Sequence, residues 1–171
     1  MEGAQKDRIK RQIEIAANVG IVIVALVIVA SFIGNYRSQQ SPSHQSVALG
    51  STFVLKDVNW RSNGQSVVLA LSTTCHFCTD SAGFYQRLVK AAKQQRLQTV
   101  AVFPQPTDEA HSYLEKEGVS VDETRQADFS SLQISGTPTL LLVDGAGLVK
   151  KVWVGKLSGE KENEVLAQLA R

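Results

Sequence analysis

Cysteine is scarce in this chain of 171 residues: there are two, Cys75 and Cys78. A disulfide-stapled secreted fold needs more cysteines at longer spacings. A loop as short as theirs hardly constrains the unfolded chain. The pair therefore reads as chemistry rather than as a staple. Charge of one sign is also lacking, with 18 Lys and Arg against 16 Asp and Glu, a net of +2. After residue 34 the balance is 14 to 13, with no basic stripe. Nothing there draws a nucleic acid by charge, and no nucleic-acid partner is expected. Histidine is limited to His44, His76 and His111, too few and too scattered to complete a four-ligand zinc site. Thr79 stands after Cys78 where a c-type haem site requires His. Internal repeats are absent too. No cofactor is expected beyond a redox-active Cys75–Cys78 disulfide, and no resident metal.

What the chain has instead is one long apolar run. Ile15 to Gly34 is 20 residues without a charge. At about 1.5 Å per residue a helix of that length reaches roughly 30 Å, the thickness of a bilayer's hydrocarbon core. Lys6, Arg8, Lys10 and Arg11 precede it, and Arg37 is the only basic residue between it and Lys56. The positive-inside rule then places residues 1–14 in the cytoplasm and everything after residue 34 outside. No small-x-small cleavage site follows the run, so it reads as an uncleaved signal anchor over 15–34 rather than a removed signal peptide. Residues 35–48, rich in Ser, Gln, Asn, His and Pro, read as a polar tether. The expected location is a plasma (inner) membrane, with the globular part 49–171 in an oxidising, periplasm-like compartment.

In that part, Ser66–Ser72 is short, apolar and β-branched, the pattern of a buried strand. From Cys75 to Arg96 the apolar positions recur at helical spacing, and Thr74 is a candidate N-cap. Leu97–Phe103 reads as a second strand. Thr107–Glu117 reads as a helix with acidic residues at its start and Gly118 at its end. A short helix is expected over Ala127–Leu132, a third strand over Leu140–Val143, a turn at Asp144–Gly147 and a fourth strand over Leu148–Val154. A last helix is expected over Glu160–Ala170. A further strand or hairpin is possible within Ser51–Trp60. Strand–helix–strand units imply parallel pairing and the closing hairpin adds antiparallel pairing, so the fold class is α/β, a sandwich with a mixed central sheet.

Placed at the first turn of a helix, Cys75 meets unpaired backbone N–H groups and the helix dipole, which favour a thiolate and so the nucleophile's role. Cys78, one turn further in, is placed to resolve a mixed disulfide. His76 either stabilises that thiolate or is a solvated side chain at a helix start. Phe77 is a packing or substrate-facing residue. Asp80 either offers a carboxylate near Cys78 or is an exposed helical residue. Pro138, at the entry to a strand, belongs at an edge or a bend and is either a cis or a plain loop proline. Copper handling by the two thiolates with His76 or His111 stays open, as does a non-catalytic adaptor. Trp60 and Trp153 read as packing residues.

A strand, a Cys-x-x-Cys at a helix start and a Thr-Pro entering a later strand–hairpin–helix together resemble the thioredoxin fold. The segment Gly136 to Asp144, followed by Gly147 and Val152–Gly155, resembles more closely the membrane-anchored TlpA/ResA-like branch, and the similarity covers about residues 48–171. The resemblance implies a thioredoxin-like three-layer sandwich with Cys75 as nucleophile and Cys78 as resolving thiol. It implies a cis Thr137-Pro138 bond beside them and a Thr137 backbone that pairs with substrate. The implied partners are disulfide-containing extracytoplasmic proteins and a membrane or periplasmic electron donor. The chain carries Thr74 where the family has Trp, His76-Phe77 where it has a proline, Gly83 for a kinking proline, and Leu69 for a buried acid. Substrate and direction of electron flow therefore do not follow from the resemblance, with reductase as the lean.

Overall fold

A computed structural model describes residues 47–60 and 64–169. The expected anchor 15–34, the cytoplasmic segment 1–14 and the tether up to residue 46 lie outside the described residues. Val47, assigned to the tether by composition, is 7% exposed and already part of the core. Among the described residues, no helix is long and apolar enough to cross a membrane.

The elements run β1 (Gln65–Ala70), α1 (His76–Asp80), α2 (Ala82–Gln94), β2 (Gln98–Phe103), α3 (Thr107–Lys116), β3 (Glu123–Gln126), β4 (Thr139–Asp144), β5 (Val149–Val154) and α4 (Gly159–Leu169). They build one five-stranded sheet in the order β3-β2-β1-β4-β5. β1 pairs parallel with β2, in register Val68 with Val100, and antiparallel with β4, in register Ala70 with Thr139. β2 pairs parallel with β3, and β4 pairs antiparallel with β5. The sheet is mixed, as the element order implies.

β1 is central and buried from Ser66 to Ala70, which is why its sequence is continuously apolar rather than alternating. Its residues split between two cores. Val67, Leu69 and Leu71 face the helices and pack with Phe84, Tyr85, Leu88, Leu114, Leu140, Val165 and Leu169. Val68 and Ala70 face the other way, onto Phe53, Leu55, Trp60, Leu132, Ile134, Leu141 and Val143. Each such aliphatic side chain contributes about 1.5–3 kcal/mol on burial. All four helices lend residues to the first core; the second is covered by irregular chain, 47–60 and 127–135. Trp60 belongs there, with Nε1 donating to the Phe53 carbonyl at 3.0 Å.

Four sequence expectations change. The helix expected over Ala127–Leu132 is a series of turns. Asp128 takes hydrogen bonds from the Ser130 amide at 3.0 Å and hydroxyl at 2.6 Å, satisfying groups that would otherwise start a helix. The expected long helix is two, because Ser81 leaves helical geometry at φ −97, ψ 4 and its hydroxyl bonds back to the Phe77 carbonyl at 2.8 Å. Strand β3, Glu-Thr-Arg-Gln, was not expected at all. It is a polar edge strand, locked by Asp122, whose Oδ2 accepts from the Thr99 amide at 2.8 Å and hydroxyl at 2.7 Å. Within Ser51–Trp60 there is no strand, only a bridge of Thr52 to Leu148.

The β4–β5 turn follows its sequence. Asp144 Oδ1 accepts from the Ala146 and Leu148 amides at 2.9 and 3.0 Å, and Gly147 takes φ +80 where a Cβ would meet the Trp60 ring at 3.1 Å.

Leu69→Ala is expected to destabilise the reduced chain by about 2–5 kcal/mol, read as a lower urea midpoint at unchanged slope. Lys90→Ala, at an exposed position of α2, should stay within about 0.5 kcal/mol.

Candidate active site

The chain leaves the end of β1 through Leu71 and Ser72, both buried, turns at Thr73-Thr74, and enters α1. The helix is capped by Cys75 and not by Thr74 as expected. Cys75 has extended geometry, φ −88 and ψ 108, and its Sγ accepts from the Cys78 amide at 3.2 Å. The sulfur thus occupies the place of a capping oxygen, sharing the Cys78 amide with the Cys75 carbonyl, to which that amide also donates at 3.0 Å. Thr74 is exposed and bonds instead to Ser72, hydroxyl to hydroxyl at 3.1 Å.

The two cysteines, both thiols here, differ sharply in access: Cys75 is half-buried and Cys78 fully buried. Burial, joined by the hydrogen bond with Cys75, pushes the Cys78 thiol up to about 12. The Ser72 main-chain N–H and the Thr137 side chain, as donors to the sulfur, act in the opposite sense. Beneath the pair, burial also raises the Tyr85 hydroxyl above the ordinary phenol range and, less completely, that of Tyr113.

The antiparallel register of β1 with β4 carries Thr137-Pro138 to the same place. That peptide bond is cis. The Cys75 thiol donates to the Thr137 carbonyl at 3.5 Å, while the buried Pro138 offers its carbonyl to the Gly155 amide at 2.7 Å. Cys75, Cys78, Thr137 and Pro138 are therefore together.

The residues between and after the cysteines point outward. Phe77 is 56% exposed, an unusual position for a large apolar ring. The His76 side chain is 82% exposed, and its Nε2 lies 3.5 Å from Asp80 Oδ2. The same carboxylate oxygen binds Lys156 Nζ at 2.8 Å. The hydrogen bond from the Lys156 ammonium holds the Asp80 carboxyl below the usual carboxylate range. Asp80 is thus an exposed residue that pairs with Lys156 and faces His76, tying α1 to the loop before α4.

Three participants carried no sequence signal. Gln105 donates from Nε2 to the Ser72 hydroxyl at 2.8 Å and accepts from the Thr73 amide at 3.4 Å. Glu109, on α3, accepts from the Thr73 hydroxyl. Lys156 lies 76 residues beyond its partner Asp80. Each acts across a long sequence separation, and only Ser72, a polar residue ending an apolar strand, hinted at such a contact. Among the described residues no three His, Cys, Asp or Glu side chains converge as metal ligands.

No family model matches this chain, and no curated protein sequence does either. Its fold, however, matches many solved structures. A candidate thiol:disulfide interchange protein DsbE from Chlorobium tepidum aligns with a TM-score of 0.58 at 19% identity, over 72% of this chain and 99% of that one. The thioredoxin domain of a thiol-disulfide oxidoreductase from Bacteroides vulgatus aligns with a TM-score of 0.58 at 17% identity, over 74% and 100%. StoA from Bacillus subtilis aligns at 0.50 and 15% identity, over 72% and 98%. The α/β domain is thioredoxin-like, as the cysteine and proline motifs implied.

Iodoacetamide added to the reduced native chain at pH 8 should modify Cys75 alone, and Cys78 only on unfolding, as peptide mapping would report. An unfolded cysteine ionises near about 8.5. The folded Cys78 holds its proton to about 12. The unfolded state therefore sheds that proton first, and the reduced form should lose stability as pH rises through this window. Cys78→Ser should flatten the decline, measured by urea unfolding across the same pH range.

Proposed function

We propose that this chain is a membrane-tethered, extracytoplasmic thiol–disulfide oxidoreductase that reduces disulfides of other proteins through Cys75 and Cys78. One observation carries the reading. An accessible sulfur caps a helix beside Thr137-Pro138, with a second, fully buried thiol one turn away whose amide already donates to it.

The chemistry follows from that asymmetry. Cys75 Sγ, as thiolate, attacks one sulfur of a substrate disulfide; a mixed disulfide forms, and the other substrate sulfur leaves with the electron pair and takes up a proton. Cys78 then gives up its proton and attacks Cys75 Sγ. The Cys75–Cys78 bond forms, and the second substrate thiol departs with a proton. Two electrons and two protons pass to the substrate, and a dithiol donor outside this chain must return them. Burial keeps Cys78 protonated until the mixed disulfide brings it an electrophile.

The electrostatics favour reduction. A strong oxidant owes its potential to a reduced form stabilised as thiolate. Here the one nearby lysine is committed elsewhere, since Lys156 pairs with Asp80 at 2.8 Å, and the His76 ring also faces that carboxylate. Cys78 is disfavoured as an anion. Exposed Phe77, with Thr137 and Pro138, forms the surface a substrate segment would meet, and Thr74 and Asp80 tune its rim. The apolar run at 15–34 with basic residues before it supports a plasma-membrane anchor and an electron donor in or beside that membrane.

Cys78→Ser in the full-length chain should accumulate mixed disulfides with partner proteins, seen as thiol-sensitive bands above the monomer on non-reducing gels. Cys75→Ser should accumulate none. Equal trapping by both variants, or by neither, would remove the nucleophile–resolver assignment.

A further inference from the structure

Two carboxylates reach the chain around the redox pair, one just after it and one just before it. They differ in what balances them. Asp80, two residues after Cys78, takes the Lys156 ammonium at 2.8 Å and faces the His76 ring at 3.5 Å. Glu109, in the first turn of α3, accepts a hydrogen bond from the Thr73 hydroxyl. Among the described residues, no lysine, arginine or histidine lies within ion-pair distance of Glu109.

Topology brings Glu109 to the site. β1 and β2 run parallel with Ala70 beside Val102. The turn that leaves β1 and the helix that follows β2 therefore stand at the same end of the sheet. Thr73 and Thr74 are the middle of a turn closed by the Cys75 amide on the Ser72 carbonyl at 3.1 Å. The Thr73 amide is held as well, donating to Gln105 Oε1 at 3.4 Å. The carboxylate is thus bonded to a fixed turn, two residues before Cys75. Two residues of chain span at most about 7 Å. That is inside the Debye length, ~10 Å at 0.1 M salt and ~30 Å at 0.01 M. Glu109 is exposed, so its charge acts on whatever approaches from solvent.

We propose that Glu109 is a specificity-determining residue: a carboxylate without a partner cation, held by Thr73 beside the Cys75 turn, favours disulfides that carry cationic side chains next to their cysteines. The proposal rests on the exchange reaction above and names the substrate class for that same site. A lysine or arginine flanking a substrate cysteine is drawn in as the disulfide approaches Cys75; an aspartate or glutamate there is repelled. Asp80 does not supply this preference, because Lys156 already balances it. Glu109 touches neither sulfur and takes no part in the bond changes.

The test uses the reduced full-length chain in detergent with three small disulfides: cationic cystamine, neutral bis(2-hydroxyethyl) disulfide and anionic dithiodiglycolate. In each reaction the two thiols of the chain become one disulfide and the probe becomes two thiols, whose release is followed by chromatography. Glu109→Gln keeps an acceptor for Thr73 and removes the charge. In about 0.01 M salt it should lower the ratio of the cystamine rate to the dithiodiglycolate rate by about fourfold, on the order of twofold for each probe. The neutral disulfide is the reference, and Glu109→Lys should lower the ratio further. In about 1 M salt, where the Debye length is ~3 Å, wild type and Glu109→Gln should agree. Glu115→Gln makes the same change of charge at an exposed position further along α3 and should leave the ratio at its wild-type value.

A second arm needs no disulfide exchange. Alkylation of Cys75 by anionic iodoacetate, relative to neutral iodoacetamide, should rise about twofold in Glu109→Gln. A wild-type chain that is alkylated with this charge dependence but exchanges with none of the three disulfides would count against the proposed function and not against the influence of Glu109. Ratios that Glu109→Gln leaves unmoved in low salt, or that Glu115→Gln moves as far, overturn the inference.

Discussion

Everything about the site depends on the antiparallel register between β1 and β4. Ala70 opposite Thr139 fixes where the chain leaves one strand and enters the other. From that pair, Cys75 is five residues forward along one strand and Pro138 one residue back along the other, so both arrive at the same end of the sheet. A slip of one residue would turn Leu69 and Leu140 out of the helix-side core and part the thiol from the Thr137 carbonyl. The register is secured by apolar residues on both faces, so the cost of burying β1 and the geometry of the cysteines are one constraint.

On that frame the two sulfurs differ in kind, although they are three residues apart. Cys75 stands at the helix cap, where solvent and an N–H donor both reach it. Cys78 lies one turn further, in the helix-side core, where no charge is easily borne. Helix geometry alone produces this division: a capping residue has left the helix, while N3 points down its inner face. The surface around them then decides how far a thiolate is favoured. One carboxylate, Asp80, gathers the Lys156 ammonium and faces the His76 ring, and this moderates the site without touching a sulfur.

The sequence was most informative where burial and turn chemistry acted locally. Strands β1, β2 and β4 were legible because central strands must be apolar, and the edge strand β5 followed from the Asp144–Gly147 turn, which Asp and Gly suit. The cysteine pair and Pro138 were legible through their spacing and resemblance to the thioredoxin fold. β3 was not, because an edge strand of Glu-Thr-Arg-Gln carries no apolar alternation. Its pairing comes from β2 and from Asp122, contacts over a distance no local window holds. The break at Ser81 and the cap at Cys75 each turn on one side-chain hydrogen bond competing with the helix. Gln105, Glu109 and Lys156 became part of the site only through tertiary packing. The resemblance placed the pair of sulfurs; the polar frame around them had to be seen.

The most direct test of the account is the reduction potential of the Cys75–Cys78 couple in the full-length chain in detergent, equilibrated in graded thiol–disulfide buffers. A buried, protonated resolving thiol and a lysine diverted to Asp80 predict a midpoint near that of a thioredoxin-like reductant, about −270 mV. A midpoint near the roughly −120 mV of a strong oxidant, or failure of the pair to form an intramolecular disulfide, would contradict it.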